Sequence, residues 1–264
     1  MELHLKDKVA VVTGAGKGIG LATVEALGRE GVRVVAGSRS ATPELTALSD
    51  KYDVTFVPVD LATPDGADAL VRHAVDAHGR LDILVNNLGA TDSRSGFLEV
   101  DDSEWRRVFD VTFFSAVRAS RAALPHLLEA GDAAIVNISS INARLPYPMV
   151  VDYSAAKAAL TNLTKALSEE FAPRGVRVNA VAPGPVRTPF WTAPGGLAEV
   201  MAASAGTTPQ EAIDVVAPRT MGISTGRVTE PQEVADLVLF LASPVAGNVT
   251  GTEFLIDGGQ AKTI

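Results

Sequence analysis

The stretch from Lys8 to Gly20, KVAVVTGAGKGIG, constrains this chain more than any other. Lys8 to Thr13 is a short β-branched apolar run, and Leu21 to Glu30 carries a helical pattern. Between them stand four glycines, at 14, 16, 18 and 20. A strand that stops at glycines and restarts as a helix lets the backbone approach a phosphate closely, with the free N–H groups and positive dipole end of the helix facing the anion. Spacing then sorts the loops that do this. A Walker loop needs lysine followed by serine or threonine, and Lys17 is followed by Gly18. A strict Gly-x-Gly-x-x-Gly counted from Gly14 fails at Ile19. Gly14, Gly16 and Gly18 would also suit a methyltransferase, but such proteins usually place an acid after the second strand, and none follows here. What fits is Gly-x-x-x-Gly-x-Gly at Gly14, Gly18 and Gly20.

Strand-like and helix-like runs alternate onward. Further strands are expected at Val32 to Ala36, before Asp60, and at Ile83 to Val85, Ala134 to Ile138, Val176 to Val181 and Glu253 to Ile256. Helices are expected at Pro64 to Ala77, Asp102 to Ala130, Asp152 to Phe171 and Pro231 to Leu241. This order predicts an α/β fold, a single-domain Rossmann-type doubly wound parallel sheet of about seven strands with helices on both faces. Ligands then bind outside the carboxyl ends of the strands. Residues 187–229, rich in Pro, Gly, Thr and Ala, read as a weakly structured stretch that serves as a substrate lid, with Phe190, Trp191, Met201 and Met221 as its apolar contacts.

Tyr153 and Lys157 stand four apart at the head of a helical run, so both side chains lie on one face. A phenol titrates near pH 10 in water, and an adjacent cation lowers that value and makes proton transfer feasible near neutrality.

Taken with Thr13 to Gly20, the Tyr153-x-x-x-Lys157 pair resembles the short-chain dehydrogenase/reductase family, in particular its 3-oxoacyl-reductase-like carbonyl reductases. The likeness covers essentially the whole chain. Asp60-Leu61 resembles the family's adenine-side contact, Asn86-Asn87-Leu88-Gly89 its Asn-Asn-Ala-Gly turn, and Pro183-Gly184-Pro185-Val186-Arg187-Thr188 the loop that holds the nicotinamide carboxamide. The family's serine stands thirteen residues before its tyrosine, which selects Ser140 over Ser139. The resemblance implies that Ser140 binds the substrate oxygen, Tyr153 transfers its proton, and Lys157 binds the nicotinamide ribose and lowers the tyrosine pKa. It also implies cofactor contacts from Gly14, Lys17, Gly18, Ile19 and Gly20, from Ser38 and Arg39, and from Asp60, Leu61, Asn87 and Gly89. Pro183, Gly184, Val186 and Thr188 complete that set, together with Tyr153 and Lys157. Two positions depart from the family: Leu88 replaces alanine, and Thr112 stands where an asparagine usually organises a water-linked proton relay.

Cofactor choice follows from what flanks the second strand. An acid there bonds the ribose 2′-OH of NAD, whereas an arginine accommodates the 2′-phosphate of NADP. Val32 to Ser40 contains no acid and does contain Arg39, with Lys17 as a second cation, so NADP(H) is expected over NAD(H). The expected activity is NADPH-dependent reduction of a ketone, 3-oxoacyl-like or another small carbonyl. The alternatives are an NAD-dependent alcohol dehydrogenase and a non-catalytic nucleotide-binding regulatory protein of the same fold.

A net charge of −8 without any basic block argues against nucleic acid or an anionic membrane as partner. With no cysteine, disulfides and thiolate chemistry are excluded. His4, His73, His78 and His126 lack ligand spacing, so no catalytic metal is expected. No run has signal-peptide or membrane-spanning length, which points to a cytoplasmic protein. Arg94 and Arg144 are candidates for meeting an acidic substrate group. The family resemblance further implies a homotetramer, with Phe113, Phe114, Val117, Leu163 and Ala166 as contacts.

Overall fold

The structure is a computed structural model and describes residues 2–90, 92, 94 and 96–263. Among them, seven strands form one parallel sheet: β1 (Val9–Thr13), β2 (Arg33–Ser38), β3 (Val54–Pro58), β4 (Ile83–Asn86), β5 (Ala133–Ile138), β6 (Val176–Pro183) and β7 (Glu253–Ile256). Their order is β3-β2-β1-β4-β5-β6-β7, so the direction of winding reverses between β1 and β4. A sheet covered on both faces needs strands apolar on both sides. β1 shows this directly: Ala10 and Val12 enter one core with Val34, Ala36 and Val85, while Val9 and Val11 enter the other with Val35 and Leu84.

Helices α1 (Gly18–Arg29) and α11 (Pro231–Ala242) cover the first face through Val24, Leu27, Val234 and Val238. The second face is covered by α3 (Pro64–His78) and α5 (Ser115–Ala130), which contribute Leu70, Ala74, Ala123 and Leu127. The long α6 (Val151–Phe171) packs beside them against β6. Beneath α5 and α6 runs a buried polar chain. Asn86 on β4 donates to Asn137 on β5 at 2.8 Å and to Ser120 on α5 at 3.0 Å, and Asn137 donates to Thr164 on α6 at 2.8 Å. Buried amides demand such partners, so this chain fixes the register of both helices over the strands.

Three local expectations are corrected. The helix expected over Asp102 to Ala130 is interrupted: α4 (Asp102–Phe109) passes through a π turn at Asp110–Phe114 before α5, with the N–H of Ser115 reaching back to the carbonyl of Asp110. Val111, Thr112, Phe113 and Phe114 are β-branched or aromatic, and such residues hold an α-helix weakly. Residues 187–229 are not weakly structured. They form α7 (Pro189–Thr192), α8 (Leu197–Ala205), α9 (Pro209–Glu211), a second π turn at Ala212–Val216, and α10 (Ala217–Thr220). Trp191, Ala198, Ile213, Ala217, Ile223 and Val228 give them a small core of their own. Finally α2 (Pro43–Lys51) was not anticipated, although Thr42 as N-cap before Pro43 announces it.

Candidate active site

The glycine loop between β1 and α1 is shaped by backbone that other residues resist. Gly14 and Gly18 have φ of +66° and +58°, in the left-handed region that side chains rarely adopt. Thr13 and Asn87 pin the loop to β4. The Thr13 hydroxyl donates to the carbonyl of Val85 at 3.3 Å and accepts from the N–H groups of Asn87 and Leu88 at 3.0 and 3.1 Å. The Asn87 amide donates to the carbonyls of Thr13 and Gly14 at 2.9 and 3.0 Å. Asn87 therefore lines the cleft while its amide N–H groups hold the loop.

Gly20 behaves differently from the sequence expectation of a cofactor contact. It does not line the cleft; a Cβ there would fall 2.3 Å from the Gly14 carbonyl oxygen and 2.5 Å from the Asn87 amide nitrogen. Its role is to let α1 pack against the loop. Lys17, the N-cap of α1, makes no side-chain cap, so the helix opens onto the cleft without one. Thr42, unnoticed in the sequence, donates to the Gly16 carbonyl at 2.9 Å and ties α2 to the same loop.

One continuous cleft runs across the carboxyl ends of the strands and encloses about 1680 Å³. At one end lie Gly14, Lys17, Gly18 and Ile19, with Ser38 and Arg39 after β2 and Asp60 and Leu61 after β3. Among the described residues Arg39 has no ion-pair partner, and neither has Lys17. Gly89 lies in the middle; Pro183, Gly184, Val186 and Thr188 form the wall after β6. A Cβ on Gly18 would meet the Thr188 side chain at 3.2 Å, so the two walls nearly close over the glycine loop. Gln260, also missed, lines the cleft with a buried carbonyl oxygen that has no partner among the described residues.

Tyr153, Lys157 and Ser140 meet on the wall formed by α6 and the end of β5. Extended backbone sends the two serines apart. Ser139 contacts Thr161, hydroxyl to hydroxyl, at 2.7 Å, whereas Ser140 reaches the Tyr153 phenol. Lys157 is fully buried, donates to the Ile138 carbonyl at 2.5 Å, and stands 5.5 Å from the centre of the Tyr153 ring. Burial acts against the lowering of the tyrosine pKa that the sequence assigns to the ammonium. Burial pushes the phenol up to about 12, opposed only by the Ser140 hydrogen bond. The same burial pulls Lys157 down to about 7, so near neutrality its charge is only partial.

Thr112, in the π turn, is buried and lies behind the cleft rather than on its surface. Its hydroxyl is 3.4 Å from both the N–H and the carbonyl of Ala90. A Cβ placed on Gly89 would sit 3.1 Å from Lys157 Nζ and 3.7 Å from Thr112 Cγ2, so both side chains flank Gly89. The two loop arginines are already engaged. Arg94 pairs with Glu104 at 2.5 Å and lies 3.6 Å from Asp152, and Arg144 pairs with Glu253. Among the described residues no three acidic or histidine side chains gather to hold a metal ion, and no helix is long and apolar enough to cross a membrane.

This geometry fits a nucleotide of dinucleotide length: a glycine cradle that side chains would fill, a helix start without a side-chain cap, and at one end two cations with no ion-pair partner among the described residues. Known proteins agree on the class. The family model described as enoyl-(acyl carrier protein) reductase matches residues 14–261. The chain is 37% identical to cis-4-hydroxycyclohexanecarboxylate dehydrogenase of Sinomonas cyclohexanicum over 96% of both chains. It is 36% identical to 3beta-hydroxysteroid dehydrogenase 1 of Eggerthella lenta, over 97% of this chain and 94% of that one. The structure of L-sorbose reductase from Gluconobacter frateurii, complexed with NADPH and L-sorbose, superimposes with a TM-score of 0.92 at 32% identity over the full length of both chains. The chain belongs to the short-chain dehydrogenase/reductase family and is an oxidoreductase.

Proposed function

We propose that this protein is an NADPH-dependent carbonyl reductase that also runs in reverse as a secondary-alcohol dehydrogenase. The observation that carries this reading is the meeting of Ser140, Tyr153 and Lys157 on one wall of the cleft whose far end holds Arg39, without an ion-pair partner among the described residues. The names of the relatives speak of hydroxyl and ketone substrates, which favours carbonyl chemistry over reduction of a carbon–carbon double bond.

The bound nicotinamide supplies the hydride. The N-terminus of α1 and the loop of Gly14, Gly18 and Ile19 would hold the pyrophosphate, and Arg39, Lys17 and Ser38 would meet the 2′-phosphate. Asp60 and Leu61 would border the adenine, Asn87 and Gly89 would form the floor, and Pro183, Gly184, Val186 and Thr188 would hold the carboxamide end. Lys157 would take the nicotinamide ribose. Ser140 would donate a hydrogen bond to the substrate oxygen, and the Tyr153 hydroxyl would give that oxygen its proton, so that a ketone leaves as the alcohol. Because burial holds the phenol at about 12, Tyr153 keeps its proton at neutral pH and can give it only to the more basic alkoxide that forms, and it serves as a base for alcohol oxidation only once a charged Lys157 beside it favours the phenolate. Thr112 steadies the path by which Lys157 exchanges protons with solvent. Residues 187–229 cover the substrate as a lid on a single domain, and the protein works in the cytoplasm.

Loss of absorbance at the reduced-nicotinamide band across a panel of ketones tests the reading. Tyr153→Phe should lower turnover by at least about a hundredfold while NADPH still binds. Arg39→Ala should weaken NADPH roughly tenfold or more and NADH little, because only the former loses a charge-assisted contact. Equal or tighter binding of NADH by the unaltered protein would overturn the cofactor assignment.

A further inference from the structure

The cleft of about 1680 Å³ extends beyond the residues assigned to the dinucleotide, and it exceeds the roughly 300–1,000 Å³ of pockets that hold one drug-sized ligand. The additional space lies against two walls that converge in space from distant parts of the chain. Leu145 and Met149 come from the loop between β5 and α6, and Trp191, Leu197, Met201 and Met221 come from the helices between β6 and α11. Trp191 is only 5% exposed and is anchored by its own small core, so this wall is a packed surface.

The charges that border the cleft are few and accounted for. Lys17, Arg39 and Asp60 stand at the dinucleotide end, and Lys157 is buried beside Tyr153. Arg107 also borders the cleft, but its guanidinium donates to Glu104 and to Asp92 at 2.8 and 2.7 Å. Arg94 and Arg144, the arginines best placed in sequence to meet an acid, are neutralised by Glu104 and Glu253. Among the described residues the substrate end offers neutral polar atoms, from Asn142, Tyr147, Ser204 and Thr220, and apart from Lys157, whose ammonium is buried against the Ile138 carbonyl, no cation without a carboxylate beside it.

We infer that the substrate is an uncharged, predominantly apolar ketone or secondary alcohol with the bulk of a substituted ring, and that Met149, Trp191 and Met201 select it. This rests on the carbonyl-reductase reading. A carboxylate on the substrate would have to leave water without a cation to receive it, which is costly, whereas hydrocarbon gains by burial. Three methionines among the lining side chains adapt their shape, so rings of several sizes should be accepted.

The test uses a matched set: 4-tert-butylcyclohexanone, methyl 4-oxocyclohexanecarboxylate and 4-oxocyclohexanecarboxylate. With the unaltered enzyme and NADPH, the two neutral ketones should exceed the acid in kcat/KM by about a hundredfold, as expected for an unpaired buried charge. Calorimetry on Tyr153→Phe with NADPH present gives a second reading independent of turnover, in which the neutral rings bind and the acid does not. Met201→Arg should reverse the order by supplying the missing cation. An acid that is turned over or bound as well as its ester overturns the inference, and so does the absence of binding by all three. Should NADPH bind and no ketone be reduced, the carbonyl-reductase reading fails, while calorimetry still decides whether the pocket is apolar and neutral.

Discussion

Lys157 shows how far burial governs the behaviour of single residues here. Its ordinary pKa of 10.5 falls to about 7 on burial, so between those values the unfolded chain binds a proton that the folded protein does not. The contribution of Lys157 to stability then rises with pH across that window. Above pH 10 the sign changes for Tyr153, since the unfolded phenol ionises first and the folded one holds its proton up to about 12. Thermal melts of the cofactor-free protein from pH 6 to 9 should therefore show a rising Tm whose slope is smaller in Lys157→Met; parallel profiles would show that the lysine does not titrate in this range. Thr112 poses a different question, because its hydroxyl brackets the Ala90 backbone while its side chain and Lys157 flank Gly89. Thr112→Val should lower kcat roughly tenfold, below the 10²–10⁴ of a direct acid–base group because a relay is only part of one, with NADPH affinity unchanged. Wild-type kcat combined with a lower Tm would show that Thr112 only anchors the loop. Tyr153, Lys157 and Ser140 were all readable from spacing and family pattern. The direction of the tyrosine shift was not, because desolvation depends on everything packed around the ring.

At the scale of elements, the glycine loop is the joint between sheet and first helix. Gly14 and Gly18 serve its backbone conformation, and Gly20 serves packing. Gly20→Ala would drive a methyl into the Gly14 carbonyl and the Asn87 amide, neither of which is the free end of a flexible chain. We expect a loss of about 1–3 kcal/mol, as for overpacking elsewhere, and a weakening of NADPH binding. An unchanged Tm with unchanged NADPH affinity would contradict this account of the loop. The helices between β6 and α11 are fastened at their base. Val186 bridges Thr229, and Arg187 reaches both Glu230 at 2.8 Å and Asp214 at 2.5 Å. Their composition suggested irregularity because Pro, Gly and Thr are poor helix formers. Tertiary contacts around Trp191 and Ile213 overrode that preference.

Over the whole molecule, the outer surface of α4 and the π turn carries a line of rings. Phe97, Trp105, Phe109, Phe113 and Phe114 follow one another with centroids 5.2–6.5 Å apart, and Phe114 is 42% exposed. Neither Val117 nor Leu163 is fully covered within the chain, and Ala166 is exposed. An apolar strip of this kind on a chain of net charge −8 is the surface through which we expect copies to pair as a tetramer. Light scattering should report four times the 27.5 kDa of one chain, and Phe114→Asp should lower that mass. A monomer at micromolar concentration would contradict the assembly.

The sequence by itself determined the alternating order of strands and helices, the glycine loop between β1 and α1 and the spacing of the Ser–Tyr–Lys set. Each of these is written in local period, glycine placement or helical repeat, within reach of a few neighbouring residues. Only the tertiary structure decided that Gly20 packs instead of lining the cleft, that Arg94 and Arg144 are neutralised, and that burial sets the pKa values of Tyr153 and Lys157. It also decided that helices from residues 189–220 form the apolar wall opposite Met149. Those outcomes depend on partners distant in the chain, brought together by the carboxyl edge of the sheet, and no local pattern specifies which distant side chain arrives there.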